Sequence, residues 1–295
     1  MLQPMAGPGR LKELLSQNRL LVAPGVYDGL SARIAEQAGF EVLYVSGGAV
    51  ARSMGLPDVG LVSLTETAKR LEEIRSVTSI PLVVDADTGY GNEINVIRTI
   101  RTLERAGAAA VHLEDQVTPK KCGHYDGHQL IEAEAMGRKI RAALDARQDP
   151  DLIIIARTDA RSAAGLDEAI RRGRLYAEAG ADMVFIEAPR SEAELARISR
   201  ELAGIPLLVN MFHGGKTPLV PAQRLEALGY RLMIVPSDLQ RAAIGAMQRA
   251  ARLLRERGDT APLAGEMAGF AERDAIVGLA EVQSLERRYL EGRSP

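Results

Sequence analysis

Leu82-Val83-Val84-Asp85-Ala86-Asp87-Thr88-Gly89-Tyr90-Gly91 is an apolar run without polar alternation that ends in a turn bearing two aspartates and two glycines. A strand that is apolar at every position is one covered on both faces, as in a parallel sheet flanked by helices. Residues 92–106 then carry a helical spacing of apolar side chains and stop at Gly107, and a second run of the same kind follows at 110–113. Strand, helix and strand in that order make the unit from which parallel sheets are built.

The unit repeats in both directions along the chain. Apolar runs stand at residues 20–23, 42–45, 82–84, 110–113, 152–156, 183–186, 207–209 and 232–235, with helical patterns at 29–38, 64–77, 92–106, 133–146, 167–179, 192–202 and 221–228. Gly39, Gly107, Gly180, Gly204 and Gly229 each follow a helix, where a left-handed turn costs any residue that has a Cβ. Eight strands alternating with helices predict a sheet closed into a (β/α)8 barrel, because open doubly wound sheets usually have fewer. The 295 residues then form one barrel domain, with residues 239–295 as a helical extension containing helices at 239–257 and 271–291. That surplus exceeds what one closing helix requires and predicts an oligomer.

Composition narrows the function. With 37 basic and 39 acidic side chains the net charge is -2, which gives no broad attraction to nucleic acid or to an anionic membrane. Cys122 is the only cysteine, so a disulfide framework and a multi-cysteine zinc site are excluded, and a reducing, cytoplasmic setting is expected. Residues 1–10 lack the basic-then-apolar pattern of a secretory signal, and no apolar run approaches the roughly 18 residues of a membrane span.

In such barrels the chemistry is built at the carboxyl ends of the strands. Here those ends carry Ser46-Gly47-Gly48, Asp85 and Asp87, Glu114 with Asp115, Arg157-Thr158-Asp159, Glu187 and Asn210. Asp85, Asp87 and Glu114 are hard oxygen donors without clustered thiolate or histidine, a set that suits Mg2+ or Mn2+ better than zinc. The alternative is that they cap helices or pair with Lys and Arg. Ser46, Gly47 and Gly48 offer a cradle for a carboxylate or phosphate, or else form a tight turn. Arg157 and Asn210 can clamp a carboxylate, the arginine through its planar fork, or Arg157 can serve a structural ion pair.

The loop Pro119-Lys120-Lys121-Cys122-Gly123-His124-Tyr125-Asp126-Gly127-His128 sets the lone cysteine beside two lysines and a histidine. Nearby positive charge is expected to lower the thiol's pKa and make it a usable acid or base. His112 points the same way as Glu114 by strand alternation and either shares its chemistry or packs as a core residue. His213 follows the seventh strand and either faces the barrel mouth or anchors its loop.

Taken together, Ser46-Gly47-Gly48, Leu56-Pro57-Asp58, the 85–91 turn, Glu114-Asp115-Gln116, Lys121-Cys122-Gly123-His124 and Ala156-Arg157-Thr158-Asp159 resemble the motifs of the isocitrate lyase/phosphoenolpyruvate mutase superfamily. The resemblance spans about residues 11–291, and the Lys-Cys-Gly-His loop marks the superfamily's carbon–carbon lyases. The nearest patterns are those of 2-methylisocitrate lyases, 2,3-dimethylmalate lyases and carboxyphosphonoenolpyruvate mutases.

The resemblance implies a barrel whose last helix is exchanged between subunits, in a homotetramer built as a dimer of dimers. It implies Mg2+ around Asp85, Asp87 and Glu114. It implies Cys122, Tyr44, Glu187 and His124 as catalytic residues, and Ser46, Gly47, Gly48, Asp58, Gly123, Arg157, Asn210 and His213 around the substrate. One departure stands out: His213 occupies the position where many of these lyases carry Glu.

The function expected is a Mg2+-dependent lyase that splits a 2-hydroxy di- or tricarboxylate by retro-aldol cleavage. One product is a 2-oxoacid such as pyruvate; the other is a carboxylate protonated by Cys122, with Tyr44 taking the hydroxyl proton. The competing readings are an oxaloacetate decarboxylase, a carboxyphosphonoenolpyruvate phosphonomutase on the same site, and a barrel that merely binds a dicarboxylate.

Overall fold

The structure is a computed structural model that describes residues 7–125 and 127–290. Residues 1–6, Asp126 and Glu291, which enter the sequence reading, lie outside that description. Strands β1 (Leu21–Val26), β2 (Leu43–Val45), β3 (Leu82–Asp85), β4 (Ala110–Glu114), β5 (Ile153–Thr158), β6 (Met183–Ile186), β7 (Leu207–Asn210) and β8 (Leu232–Val235) pair in parallel, in sequence order, into a closed barrel. Closure is made by β1 against β8, with Leu21 opposite Leu232 and Pro24 opposite Val235. The strand β1 runs three residues beyond its predicted end, through Pro24 and Gly25. Gly25 lies against the backbone of Pro236 so closely that no Cβ would fit.

Strand alternation sorts the side chains into two cores. Ala23, Tyr44, Val83, Ala110, Ile155, Phe185, Leu208 and Ile234 fill the inside. Leu43, Val84, Val111, Leu113 and Ile154 face out against the helices. Continuing the inward phase one step beyond the apolar layer gives Asp85, His112, Glu114, Arg157, Glu187 and Asn210. A single parity therefore delivers the chemistry to the carboxyl end.

Outside lie α2 (Gly29–Gln37), α3 (Gly47–Ser53), α4 (Leu64–Arg75), α5 (Glu93–Arg105), α6 (Ala133–Ala146), α7 (Ala160–Ala163), α8 (Leu166–Glu178), α9 (Glu192–Glu201) and α10 (Ala222–Ala227). The seven predicted helices are found within two residues of their expected ends. The five glycines that follow them have φ between 87° and 104°. Asp28, Ser63 and Asn92 begin their helices with reciprocal capping boxes, which satisfy backbone donors that the first turn leaves free.

The short helices α3 and α7 were not predicted, and two further departures change the ends of the chain. Helix α1 (Pro8–Ser16) was not predicted. Pro8 suits its first turn, where no N–H is needed, and Leu11 and Leu14 plug the amino-terminal end of the barrel, each almost fully buried. After α11 (Asp238–Arg257), the predicted second helix is broken into α12 (Phe270–Ile276) and α13 (Leu279–Leu290). Gly278, with φ of 74°, ends the first piece in a left-handed turn that a continuous helix cannot contain.

Candidate active site

Three buried side chains meet on the barrel axis. The Tyr44 hydroxyl lies 2.7 Å from His112 Nε2 and 3.2 Å from Asp85 Oδ2. His112 Nε2 is 3.4 Å from Asp85 Oδ1. Burial, and then Asp85, raise the Tyr44 pKa well above the ordinary phenol value. Burial also lowers that of His112, with Asp85 working against it. For Asp85 burial opposes the charge, but His112, Lys120 and Arg157 outweigh it and hold the carboxyl below its usual range. Asp85 Oδ1 also accepts the Asp87 N–H, and Oδ2 accepts that of Gly47 at 3.2 Å.

Lys120 was read only as a neighbour of the cysteine. Its Nζ is in fact buried between Asp58 Oδ1 at 2.5 Å and Asp87 Oδ1 at 3.0 Å. Burial pushes the Asp87 carboxyl up to about 6, with Lys120 working against it. The two lysines thus act differently. Lys121 is exposed and donates to the Gly127 carbonyl.

Arg157 is the other interior cation. Its Nε and Nη2 donate to the two oxygens of Asp159 at 3.1 and 2.8 Å, its Nη1 lies 3.1 Å from Glu114 Oε2, and Nη2 lies 3.7 Å from Glu187 Oε2. The structural ion pair weighed for it is therefore present, on a residue that also lines the cavity. Burial opposes the charge of Glu187, but Arg157, His124 and Asn210 hold its carboxyl down at about 2. Asn210 Nδ2 donates to Glu187 Oε2 at 3.1 Å, and His124 Nε2 lies 3.4 Å from Glu187 Oε1.

The cysteine loop closes over these groups. The Cys122 N–H donates to the Asp58 carbonyl, His124 Nδ1 accepts the Lys216 N–H at 3.0 Å, and His124 packs edge-on against Phe212. A Cβ on Gly123 would stand 2.5 Å from Arg157 Nη2 and 2.6 Å from Glu187 Cγ, so only glycine allows the loop to seat there. The expected lowering of the thiol pKa is corrected. Burial, and then Asp58, raise Cys122 to about 11, because Lys120 is engaged by carboxylates and Lys121 faces solvent. Near neutral pH the group is therefore a thiol and not a thiolate.

Tyr44, Ser46, Gly48, Asp58, Asp85, Cys122, Gly123, His124, Arg157, Glu187 and Asn210 line one cavity of about 330 Å³. Arg52, Phe212, Ile234, Ser237 and Arg241 are among its other walls; none of these was singled out, because loops and the α11 start reach the mouth only through the fold. Gly47 and Asp87 line a small adjoining hollow, and Glu114 is fully buried behind Arg157. The cradle reading is amended accordingly, since the Gly47 N–H is turned to Asp85 and the Ser46 hydroxyl accepts from Ala49 as the α3 cap.

His213 and Asp115 are not brought to the cavity. His213 is exposed, and its carbonyl accepts from Arg241. Asp115 lies behind the barrel wall, bonded to Thr158, Arg172 and Tyr176. A larger hollow of about 650 Å³ beside α1, at the opposite face, contains none of the residues that meet at the mouth.

Among the described residues no group of three or more His, Cys, Asp or Glu side chains stands ready to grip an ion. The donor chemistry nevertheless fits a hard divalent cation. Glu114 Oε1 is buried with no hydrogen-bond partner. Burial drives the Glu114 carboxyl well above its usual range, despite Arg157 and Lys120. Charge demand among crowded carboxylates is what such a cation answers.

A closed (β/α)8 barrel whose mouth gathers carboxylates, a buried arginine and a thiol is the frame against which the relatives are compared. Residues 11–255 match the family described as phosphoenolpyruvate phosphomutase. The chain is 44% identical to the 2,3-dimethylmalate lyase of Eubacterium barkeri over 96% of this chain and 98% of that protein. It is 46% identical to a 2-methylisocitrate lyase of Aeropyrum pernix over 87% of this chain and 82% of that one. Among solved structures it resembles a 2,3-dimethylmalate lyase with TM-score 0.91 and 38% identity, covering 97% and 96% of the two chains. It also resembles a phosphonopyruvate hydrolase solved with oxalate and Mg2+, with TM-score 0.88 and 31% identity over 97% and 100%. The chain belongs to the phosphoenolpyruvate mutase/isocitrate lyase superfamily.

Proposed function

We propose that the protein is a Mg2+-dependent carbon–carbon lyase that cleaves a small 2-hydroxy di- or tricarboxylate, of the dimethylmalate or methylisocitrate kind, into a 2-oxoacid and a carboxylate. The observation that carries this reading is the convergence of Cys122 and Tyr44, from separate elements, on one cavity beside Arg157 and Asp85. The relatives named for dimethylmalate and methylisocitrate supply the substrate class.

A divalent cation held by Asp85, Asp87 and Glu114 would supply positive charge beside the substrate's hydroxyl and carboxylate oxygens. Arg157 and Asn210, which both line the cavity, bind a carboxylate of the substrate. Tyr44 accepts the substrate's hydroxyl proton while passing its own to His112 Nε2, 2.7 Å away. The phenol pKa is raised, so Tyr44 needs such a neighbour to take its own proton. The C2–C3 bond then breaks, leaving the 2-oxoacid and a carbanion stabilised by its own carboxylate. Cys122 gives that carbon its thiol proton, inside a mouth from which the loop excludes water.

The test is release of 2-oxoacid from 2,3-dimethylmalate, 2-methylisocitrate, isocitrate and oxaloacetate, with and without Mg2+. Cys122→Ala is expected to lower kcat at least 1000-fold on the productive hydroxy acid while Mg2+ binding persists. Consumption of oxaloacetate alone, unaffected by Cys122→Ala, would put the decarboxylase reading in its place.

A further inference from the structure

Asp159 does not line the cavity, yet it occupies the Nε–Nη2 edge of Arg157 with both of its oxygens, at 3.1 and 2.8 Å. A guanidinium has five N–H donors in a fixed plane, so seizing one edge dictates where the other points. The remaining donors face Glu114, Glu187 and the cavity. Without Asp159, the two other carboxylates would compete for the same cation from different directions.

Asp159 is itself anchored from behind by a carboxylate that the proposed reaction does not use. Asp115 accepts four hydrogen bonds: from the Asp159 N–H at 3.0 Å, the Thr158 hydroxyl at 2.7 Å, the Tyr176 hydroxyl at 2.7 Å and Arg172 Nη1 at 3.0 Å. Asp115, Thr158 and Tyr176 are fully buried and Asp159 nearly so. Three of these bonds fall on Asp115 Oδ2 and the Asp159 N–H takes Oδ1, so both oxygens are held and a buried polar network fixes where the Asp159 backbone stands.

The sequence places the parts deliberately. Asp115 lies directly after β4, Asp159 directly after β5, and Tyr176 and Arg172 on α8, so the network ties two strand ends to the helix that covers them. Gly123 adds a consequence: its ideal Cβ position is 3.0 Å from Asp159 Oδ1 as well as close to Arg157. The cysteine loop therefore rests on the surface that Asp159 holds in place.

We propose that Asp159 is a positioning residue for carboxylate recognition: anchored by Asp115, it fixes the guanidinium of Arg157 so that one edge meets the substrate's carboxylate. This rests on the function proposed above. The distinguishing experiment measures oxalate affinity by calorimetry with Mg2+ present, in the wild type and in Asp159→Asn, together with crystal structures of both and kcat and KM on the productive substrate.

The amide is isosteric but presents an N–H₂ group to the guanidinium, so Arg157 is expected to turn toward Glu114 and Glu187. Oxalate Kd and substrate KM are expected to rise about 10-fold or more, the loss associated with a misdirected charge-assisted pair, with the melting temperature within a few degrees. If Asp159→Asn does not fold, Tyr176→Phe, which removes one of the four bonds to Asp115, is expected to raise Kd about twofold to threefold. An Arg157 that keeps its place with oxalate affinity unchanged overturns the proposal. A displaced Arg157 in a protein whose wild type binds no oxalate and cleaves none of the hydroxy acids overturns instead the carboxylate role, and with it the function on which this proposal rests.

Discussion

At the residue scale the cysteine carries the sharpest expectation. Its thiol is raised to about 11 from an ordinary value near 9, so at pH 8 the thiolate fraction is about 100-fold below that of an exposed cysteine. Alkylation by iodoacetamide is expected to stay slow through neutral pH and to climb as pH rises toward 11; a midpoint near 8 would contradict the burial argument. The folded state holds this proton more tightly than the unfolded chain. Its contribution to stability is thus full below pH 9 and is lost as pH rises through about 11. Gly123 gives a second expectation. Placing a methyl group 2.5 Å from Arg157 Nη2 displaces the loop, so Gly123→Ala is expected to cut kcat by about 100-fold or more, with little change in melting temperature. Wild-type turnover in that variant would mean the loop need not seat where it is found.

At the scale of elements, α1 is the clearest case for measurement. Leu11 is wholly buried against the interior apolar layer, so Leu11→Ala is expected to cost about 2–5 kcal/mol and several degrees of melting temperature. Because α1 lies at the end of the barrel far from Cys122, kcat at a temperature well below melting is expected to hold within twofold. The strands and the seven helices between them were legible because each carries its own period and its own terminating glycine. Asp85, Glu114, Arg157, Glu187 and Asn210 were legible because inward parity at a strand end can be counted. Lys120, Arg52 and Arg241 were not, since a loop or an outer helix gives no parity from which to learn whether a cation turns inward. His213 illustrates the converse, because nearness in sequence to Asn210 did not bring it to the cavity. The direction of the Cys122 shift was missed for a related reason: charge beside a residue in sequence acts only where it is free of other partners, and Lys120 is not.

At the scale of the whole molecule, the C-terminal helices leave an apolar surface exposed. Phe270 is 79% exposed, Tyr289 78% and Leu290 87%, and Val277, Val282 and Leu285 accompany them. Surfaces of that extent call for a partner, and we propose that a second copy of the chain supplies it through these helices. Sedimentation is then expected to give a mass several times the 31.8 kDa of one chain, reduced when Phe270 and Tyr289 are both changed to Ser. A species of one chain at micromolar concentration would remove that proposal. No helix among the described residues is long and apolar enough to cross a membrane. The plug made by Leu11 and Leu14 has a different consequence. It turns the barrel into a cul-de-sac: whatever enters past the cysteine loop must leave by the same doorway.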